Sequence, residues 1–359
     1  MERSDEPLCV SRDAAAGGSE PFVSVIAPCR REVRFVEAFV RSLQQQSYRC
    51  DRLEFLVADG MSDDGTREVL DRMALSDARL VVIDNPRRYV SAGLNLAIQR
   101  AKGDIVVRMD VHTVYAQDYV SRCVEALQST GMGCVGGPWR AVGHGYWERA
   151  IAAGFRSPFG SGGARSHLEG YEGEVDSVYL GCWHRQRLIE YGMFDEDLVR
   201  NQDDELCLRI RRQGGHIWQS PKIRSEYRPR GSMLALGRQY YQYGYWKVRV
   251  IKKHGQAAAV RHFVPAAAIA IGAILAGLSV AVPVASTVLM WLAAAYAACV
   301  AGSSAVSCAA DGDWALLPAL PLVFATYHLG YGTGCWRGII DFVLLAKTAP
   351  ADHATRLSR

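Results

Sequence analysis

Residues 263–310 contain no aspartate, glutamate, lysine or arginine, although these four types make up 22% of the chain. A helix of roughly 20 apolar residues crosses the ~30 Å hydrocarbon core of a bilayer. The segments 263–282 and 285–301 both fall in the range that can cross, and Pro283 marks a turn between them. The sequence therefore predicts two transmembrane helices in its C-terminal part.

The residues around these spans indicate how the membrane region is arranged. Residues 236–262 mix aromatic and basic side chains, which is typical of a helix lying at the membrane surface. A third apolar stretch, 314–346, is interrupted by Arg337. A span with an interfacial helix and a broken helix both remain open for this stretch. We therefore predict a membrane region of two to three spans at residues 263–350.

A cluster of cations at the entrance of the first predicted span indicates its orientation. Lysine and arginine are enriched in cytoplasmic segments next to membrane spans. The cluster consists of Lys247, Arg249, Lys252, Lys253 and Arg261. It predicts a multi-pass protein of the plasma (inner) membrane whose N-terminal domain faces the cytoplasm.

Residues 21–235 alternate between strand and helix patterns. Apolar runs of strand length alternate with amphipathic segments of helix length, which is typical of an α/β domain with a mostly parallel sheet. Such sheets bind ligands beyond the carboxyl ends of their strands. The predicted strands are 22–27, 53–58, 80–83 and 104–109, and the predicted helices are 33–46, 66–74 and 91–101. Pro28 is expected to end the first strand.

Composition narrows the interpretation of the remaining segments. Residues 136–173 are rich in glycine, serine and aromatic residues, which predicts a long loop that binds substrate or forms a lid. Residues 1–20 are predicted to be a disordered tail, and residues 351–359 a second tail. The 41 basic residues are nearly balanced by 37 acidic ones, which argues against a protein that binds nucleic acid.

Asp59, in the run VADGMSDDGT, ends the second predicted strand and is a candidate for reading a nucleotide base. A carboxylate in this place can accept a hydrogen bond from the imide N–H of uracil. The alternative is structural, because Asp-Gly pairs often form turns. The residues alone leave both interpretations open.

Asp110 and His112 lie two residues apart in RMDVHT, directly after another buried strand. A carboxylate oxygen and an imidazole nitrogen suit Mn²⁺ and tolerate Mg²⁺. A divalent cation in this place would neutralise a departing diphosphate. The alternative is a strand-end aspartate that accepts backbone hydrogen bonds beside an unrelated histidine.

Asp203, Asp204 and Glu205 open a predicted helix in NQDDELCLR. The helix dipole favours carboxylates at a helix N-terminus, so a structural role is a serious alternative. A carboxylate here could also be the general base that takes the proton of an attacking hydroxyl.

In this order, the three motifs resemble those of glycosyltransferase family 2, the inverting enzymes with a GT-A fold. The resemblance covers about residues 22–250, with VSVIAPCRRE similar to the opening strand of the family. QYGYW, residues 242–246, is similar to the QxxRW motif of membrane-associated members, and HLGYGTG resembles the succinoglycan-type exopolysaccharide enzymes. The resemblance implies a Rossmann-like nucleotide-diphospho-sugar transferase domain followed by transmembrane helices.

The resemblance also implies roles for individual residues. Asp203 would be the general base, and Asp110 with His112 would hold Mn²⁺ or Mg²⁺. Arg87 is the alternative to Arg88 for contacting the donor diphosphate. The residues implied to bind the nucleotide sugar are Pro28, Glu32, Asp59, Arg88 and Asp110, and those implied at the acceptor or interface are Gln242, Tyr245 and Trp246.

Two departures from the family pattern shape the expected activity. His112 replaces the second aspartate of the DxD motif, and we expect metal dependence to survive. Tyr245 stands where processive synthases carry arginine, which favours the addition of single sugars. The expected donor is a UDP-sugar, and the expected acceptor is a polyprenyl-linked glycan among membrane lipids. The alternatives are a processive polysaccharide synthase, a non-catalytic membrane scaffold and a nucleotidyltransferase that would release pyrophosphate.

Overall fold

A computed structural model describes residues 20–256 and 259–347 and divides into two compact units. The first unit is the described part of Met1–Trp139 with Glu169–Glu196 and Leu206–Glu226. The second unit is Arg140–Leu168, Asp197–Glu205 and the described part of Tyr227–Arg359. Three segments of the predicted 21–235 domain, residues 140–168, 197–205 and 227–235, thus group with the C-terminal helices. Residues 1–19 of the predicted N-terminal tail and the predicted tail 351–359 lie outside the described residues.

The described chain contains strands, α-helices and short helical turns of other types. The strands are β1 Val23–Cys29, β2 Leu53–Asp59, β3 Leu80–Asp84, β4 Ile105–Arg108, β5 Thr113–Tyr115, β6 Cys134–Gly137, β7 Arg140–Ala141, β8 Gly173–Glu174, β9 Tyr179–His184, β10 Ile217–Gln219 and β11 Ser225–Tyr227. The α-helices are α1 Val36–Gln44, α2 Thr66–Ser76, α3 Val90–Arg100, α4 Tyr119–Thr130, α5 Tyr146–Arg156, α6 Pro158–Ser161, α7 Arg185–Glu190, α8 Gln202–Arg212, α9 Met233–His254, α10 Val264–Leu278, α11 Pro283–Asp311 and α12 Leu320–Gly338. The 3-10 turns are Cys50–Arg52, Arg165–His167, Val260–Phe263 and Trp314–Leu316, and a π-helix covers Ile339–Leu344.

The main sheet of the first unit has eight strands in the order β3-β2-β1-β4-β9-β6-β10-β8. β3, β2, β1 and β4 are mutually parallel, so their carboxyl ends meet at one edge. β9 runs antiparallel to both β4 and β6, and β8 runs antiparallel to β10. The sheet is therefore mixed, and the predicted parallel arrangement holds for the four strands whose ends carry the candidate site.

Both faces of β1, β2 and β4 are buried, which explains their continuous apolar runs. Side chains alternate between the faces of a strand. On β1, Val25 belongs to the core on one face and Ile26 to the core on the other. On β2, Phe55 and Leu56 divide in the same way. This double burial fixes the register of the strands and hence the position of the residues at their ends.

The first strand continues through Pro28, where the sequence predicted that it would end. Pro28 is paired with Ala58 of β2, and Cys29 with Asp59. Ile26 accepts a hydrogen bond from the Met109 backbone N–H at 3.0 Å on the β4 side. Pro28, two residues further, faces the same side beyond the end of β4, so its missing N–H costs no ladder hydrogen bond.

The predicted loop 136–173 contains the helix α5, contrary to expectation. Glu148 Oε2 accepts the backbone N–H of His144 at 3.0 Å and of Gly145 at 3.3 Å, which caps the first turn. Ile151 and Phe155 are buried. The surrounding glycines and serines concealed one helix with an apolar face.

In the second unit, α9 and α12 pack through glycines. A Cβ atom on Gly244 of α9 would lie 2.0 Å from the Tyr331 carbonyl oxygen, and one on Gly334 of α12 would lie 2.0 Å from that of Tyr241. Larger residues at either place would force the backbones apart. The core beside them contains Phe324 and other apolar residues of α5, α9, α11 and α12.

Two helices of the described chain are long and apolar enough to cross a membrane, judged by length and composition. They are Val260–Leu278 and Pro283–Asp311, and they correspond to the two predicted spans. Their apolar side chains are largely exposed, as shown by Ile274 at 60% and Trp291 at 68%. The third predicted stretch forms α12, which packs against α9 and is not among the candidate spans.

Candidate active site

The carboxyl ends of β1, β2 and β4 bring the predicted donor-site residues to one edge of the sheet. Asp59 ends β2 and is 1% exposed. Its Oδ1 accepts the Ser62 hydroxyl at 2.5 Å, and its Oδ2 lies 3.8 Å from Arg67 Nη1. Arg67 also binds Asp84 at the end of β3, and this hydrogen bond raises the pKa of Arg67. The Ser62 backbone N–H also donates to both oxygens of Asp59, which fixes the carboxylate within a turn and leaves acceptor capacity on Oδ2.

Asp110 follows β4 and is held by a bidentate ion pair. Arg108 donates from Nε to Asp110 Oδ1 at 2.9 Å and from Nη2 to Oδ2 at 3.1 Å. Arg108 is 4% exposed, and the Asp110 side chain is 14% exposed. Tyr115 fixes the backbone of Asp110 from below, accepting its N–H at 2.5 Å and donating to its carbonyl at 3.0 Å. Burial raises the pKa of Tyr115 well above its usual value, so the phenol stays protonated.

His112 lies beside Asp110 in a turn closed by the Thr113 N–H, which donates to the Asp110 carbonyl at 3.2 Å. Its side chain is 26% exposed, and its Nδ1 lies 3.9 Å from Glu32 Oε1. No cluster of three or more histidine, cysteine or acidic side chains that could hold a metal occurs within residues 20–256 and 259–347. Mn²⁺ and Mg²⁺ are commonly bound by one or two protein groups together with substrate phosphates. Asp110 and His112 fit that mode of binding.

The two arginines of the β3–α3 loop are in different environments. Arg87 makes an ion pair with Glu196. Arg88 is exposed, and within the described part of the chain its side chain makes no hydrogen bond or ion pair. Arg88 has a positive φ of 63°. Of the two, Arg88 is therefore the cation that a ligand can engage without displacing a partner.

Pro28 lies near the carboxyl end of β1 and Glu32 lies just after it, on the same edge of the sheet. The Glu32 backbone N–H donates to Thr66 Oγ1 at 2.8 Å, and Glu32 is 9% exposed. Pro28 is half-buried near the end of β1. Both contribute to the edge that carries Asp59 and Asp110.

Asp203 lies in the second unit, in the first turn of α8, and is half-buried. Asn201, two residues before Asp203, has a left-handed φ of 61°, a conformation that asparagine tolerates well. Asp204 accepts a hydrogen bond from Lys247 at 2.7 Å. Glu205 is completely buried. The three carboxylates are thus in three different environments.

The α9 residues of the QxxRW-like motif are buried in the second unit. Gln242, Tyr245 and Trp246 are 3%, 0% and 0% exposed. Gln242 Oε1 accepts Arg200 Nε at 3.2 Å, and the Tyr245 hydroxyl donates to Asp341 at 3.1 Å. The contacts of Gln242 and Tyr245 fix neighbouring elements of the second unit.

The sequence interpretation overlooked two cations that hold acidic residues of the site. Arg108 stands two positions before Asp110, and this spacing on a strand places two side chains on one face. That signal was available in RMDVHT. Lys247 directly follows the QYGYW run, but its partner Asp204 is 43 residues away, and no local pattern announces the pairing.

Comparisons with known proteins agree with this geometry. A model of the family "Glycosyl transferase family 2" matches residues 24–182, which include the Asp59 and Asp110 motifs. The chain is 30% identical over 330 residues to the succinoglycan biosynthesis protein ExoA of Rhizobium meliloti (strain 1021), covering 89% of this chain and 95% of that protein. It is 24% identical over 241 residues to a dolichyl N-acetyl-α-D-glucosaminyl phosphate 3-β-D-2,3-diacetamido-2,3-dideoxy-β-D-glucuronosyltransferase of Methanococcus voltae, covering 65% of this chain and 74% of that protein.

A solved structure shares the fold. The mannosyltransferase PcManGT from Pyrobaculum calidifontis, in complex with GDP-Man and Mn²⁺, superposes with a TM-score of 0.60 at 23% identity, covering 86% of this chain and 87% of that one. At this identity the likeness shows the fold, and it confirms the predicted GT-A fold.

Proposed function

Since the chain belongs to glycosyltransferase family 2, we propose that this enzyme moves a sugar from a nucleoside diphospho-sugar to a lipid-linked glycan acceptor, with inversion at the anomeric carbon. The observation that carries the proposal is the Asp110–His112 turn at the edge where Asp59 and Arg88 also lie. At this edge, the Asp59 carboxylate can bind a nucleotide base, Asp110 and His112 can bind a cation, and Arg88 can bind a diphosphate.

Asp59 and Arg88 would bind the donor, with Pro28 and Glu32 lining the nucleotide pocket. The Asp59 carboxylate retains acceptor capacity for the imide N–H of uracil, which supports a UDP-sugar. The Arg88 guanidinium matches phosphate oxygens in charge and geometry. PcManGT was solved with a GDP-sugar, so a guanosine donor is the alternative that the donor assay below must separate.

Asp110 and His112 would hold Mn²⁺ or Mg²⁺. When bound, the cation would supply positive charge to the diphosphate leaving group. Arg108 keeps the Asp110 carboxylate in one orientation, using one lone pair on each oxygen.

Asp203 would act as the general base. Its carboxylate takes the proton of the acceptor hydroxyl while the hydroxyl oxygen bonds to the anomeric carbon. The bond from that carbon to the diphosphate breaks, and the nucleoside diphosphate leaves with the electron pair. A single displacement of this kind inverts the anomeric configuration. The half-buried position of Asp203 at the start of α8 supports contact with a substrate.

The membrane region would place this chemistry at a membrane surface. Arg156 binds Asp311, at the end of α11, at 2.6 Å, and Arg149 lies 3.2 Å from Asp313. Near the start of α10, Arg261 lies against Gly162, where an added Cβ would be 3.0 Å from Arg261 Cδ. Both ends of the α10–α11 pair therefore lie beside α5 and α6, as in a two-span hairpin. With the basic residues before α10, this supports a catalytic side facing the cytoplasm at the plasma (inner) membrane.

The name of the Rhizobium relative refers to succinoglycan biosynthesis, and that of the Methanococcus relative to a dolichyl phosphate-linked sugar. These names support a polyprenyl-linked glycan acceptor in cell-surface or exopolysaccharide biosynthesis. The test is to incubate membranes containing the full-length chain with radiolabelled UDP-sugars and to extract the product with organic solvent. We expect one labelled sugar per lipid with inverted configuration. Label found only in long water-soluble polymer would instead support a processive synthase.

A further inference from the structure

The segment that precedes the proposed base is tied to α9 by two side chains. Asn201 donates from Nδ2 to the Tyr243 carbonyl at 2.9 Å. Arg200 donates from Nε to Gln242 Oε1 at 3.2 Å. Both ties lie within the second unit, and they fix the chain immediately before Asp203.

The residues that follow the proposed base are tied to α9 by ion pairs. Lys247 Nζ lies 2.7 Å from Asp204 Oδ2. Glu205, fully buried, accepts from both Lys253 Nζ and His254 Nε2 at 2.9 Å. The first turn of α8 is thus held to α9 on both sides of Asp203.

Among the α9 residues that hold this turn, Lys247 contacts Asp204, the immediate neighbour of the proposed base, and the charged side chain of Lys247 is buried. Its side chain is 7% exposed, whereas that of Asp204 is 39% exposed. A buried ammonium that loses its carboxylate pays a large desolvation cost, so such a pair stays closed. An exposed lysine, by contrast, exchanges freely between its partner and water. The Lys247–Asp204 pair is therefore a rigid connection between α9 and the first turn of α8.

We infer that Lys247 is a positioning residue for the transfer reaction: its fixed contact with Asp204 sets the orientation of the turn that presents Asp203. The inference rests on the proposed function, since it needs Asp203 to be the base. Adjacent residues of a helix point about 100° apart, so Asp204 can face α9 while Asp203 faces elsewhere. Asp204 thereby acquires a defined role as the partner of Lys247.

The test compares Lys247→Met, Lys247→Arg, Asp204→Asn and the double variant Lys247→Met/Asp204→Asn in full-length protein in membranes. Lys222→Met is the matched control, because Lys222 is 62% exposed. Steady-state kcat and donor KM are measured for each, together with nucleotide affinity and the thermal midpoint. Misplacing a reacting group by about 1 Å can cost roughly 100-fold in rate.

We expect Lys247→Met to lower kcat by roughly 10- to 100-fold and to leave donor KM within about twofold. Lys247→Arg, which keeps the charge, should recover most of the loss. Because the two residues act as a pair, the double variant should lose no more than either single variant. Lys222→Met should match the parent protein.

Two results would overturn the inference. One is a folded Lys247→Met variant with kcat within about twofold of the parent. The other is that Lys247→Met and Lys247→Arg both lower kcat, nucleotide affinity and the thermal midpoint, and do so to the same extent as each other. That result would show a purely structural role for Lys247. The variant Asp203→Asn distinguishes a wrong base assignment from a wrong positioning role. If Asp203→Asn is inactive while Lys247→Met is fully active, only the positioning role is wrong. If Asp203→Asn is fully active, the base assignment fails, and the positioning role fails with it.

Discussion

Asp59 and Asp110 of the first unit are held by arginines close to them in sequence, whereas Asp204 and Glu205 of the second unit are held by cations far along the chain. Arg108 stands two residues before Asp110, and Arg67 follows Asp59 on the adjoining helix. Asp204 and Glu205 depend on Lys247, Lys253 and His254, which lie 43 to 49 residues away.

This difference indicates that the proposed donor-binding residues and the proposed base are held in place by separate sets of contacts. The donor edge is assembled from strand ends, whose positions follow from the register of one sheet. The proposed base, Asp203, is carried by a segment that belongs with α9. Changes in α9 should therefore affect the chemical step and spare donor binding, and changes at the strand ends should do the opposite.

The largest effect is expected from Asp203→Asn. Loss of a general base typically costs 10²- to 10⁴-fold, so kcat should fall by roughly that factor while nucleotide affinity is unchanged. The measurement is steady-state kinetics with calorimetric nucleotide binding. Asp197→Asn, in the same segment and 71% exposed, should remain close to the parent. A parallel loss of nucleotide affinity in Asp203→Asn would break the proposed separation of the two sides.

His112→Ala should raise the Mn²⁺ concentration needed for half-maximal activity, by roughly 10-fold or more, because one of two protein ligands is lost. His112→Asp, which restores a DxD sequence, should bring the requirement back towards that of the parent. Metal titrations of initial rate measure both. His216→Ala, with a side chain 59% exposed, is the control. An unchanged metal requirement in His112→Ala would remove His112 from the cation site.

Gly334→Ala tests whether the close packing of α12 against α9 holds α9 in place. The new Cβ would lie 2.0 Å from the Tyr241 carbonyl oxygen, and forcing the helices apart should cost about 1–3 kcal/mol of stability. Gly272→Ala in α10 meets nothing within 4 Å and should be neutral or slightly stabilising. Thermal unfolding in detergent compares the two. Equal midpoints would show that α9 is supported in another way.

The smallest effect is expected at the β3–α3 loop. Arg88→Gln should raise donor KM by roughly 3- to 10-fold with kcat nearly unchanged, since it removes one contact to the diphosphate. Arg87→Gln should leave donor KM unchanged, because Arg87 is paired with Glu196. The opposite ranking of the two variants in KM would reassign the diphosphate contact to Arg87.

Much of the first unit could be predicted because its signals are local. Strands buried on both faces give continuous apolar runs, so β1, β2, β3 and β4 were located to within a few residues. Their ends placed Asp59 and Asp110 at one edge. The extension of β1 through Pro28 was missed, because it depends on where the neighbouring strand β4 ends. The antiparallel direction of β9 was missed for a similar reason, since pairing partners are not visible in single strands.

Less of the second unit could be predicted, because long-range pairing determines it. The helix α5 lies in a segment whose glycines and serines resemble a loop. The aromatic and basic residues of α9 resembled a membrane-surface helix, yet Tyr245, Trp246 and Lys247 are buried. Their partners, Asp341 and Asp204, lie on other helices. The roles proposed for the site residues of both units remain predictions, and they concern Pro28, Glu32, Asp59, Arg88, Asp110, His112, Asp203, Gln242, Tyr245 and Trp246.

The most direct test of the central claim is nucleoside diphosphate release by membranes containing the full-length chain. UDP- and GDP-sugars are supplied with Mn²⁺, with Mg²⁺ or with a chelator, and Asp110→Asn is assayed beside the parent protein. The account predicts release of a nucleoside diphosphate, with UDP-sugars preferred, that requires a divalent cation and is lost in Asp110→Asn. Release that proceeds equally in chelator and in Asp110→Asn would contradict the account, and release of pyrophosphate would indicate a nucleotidyltransferase.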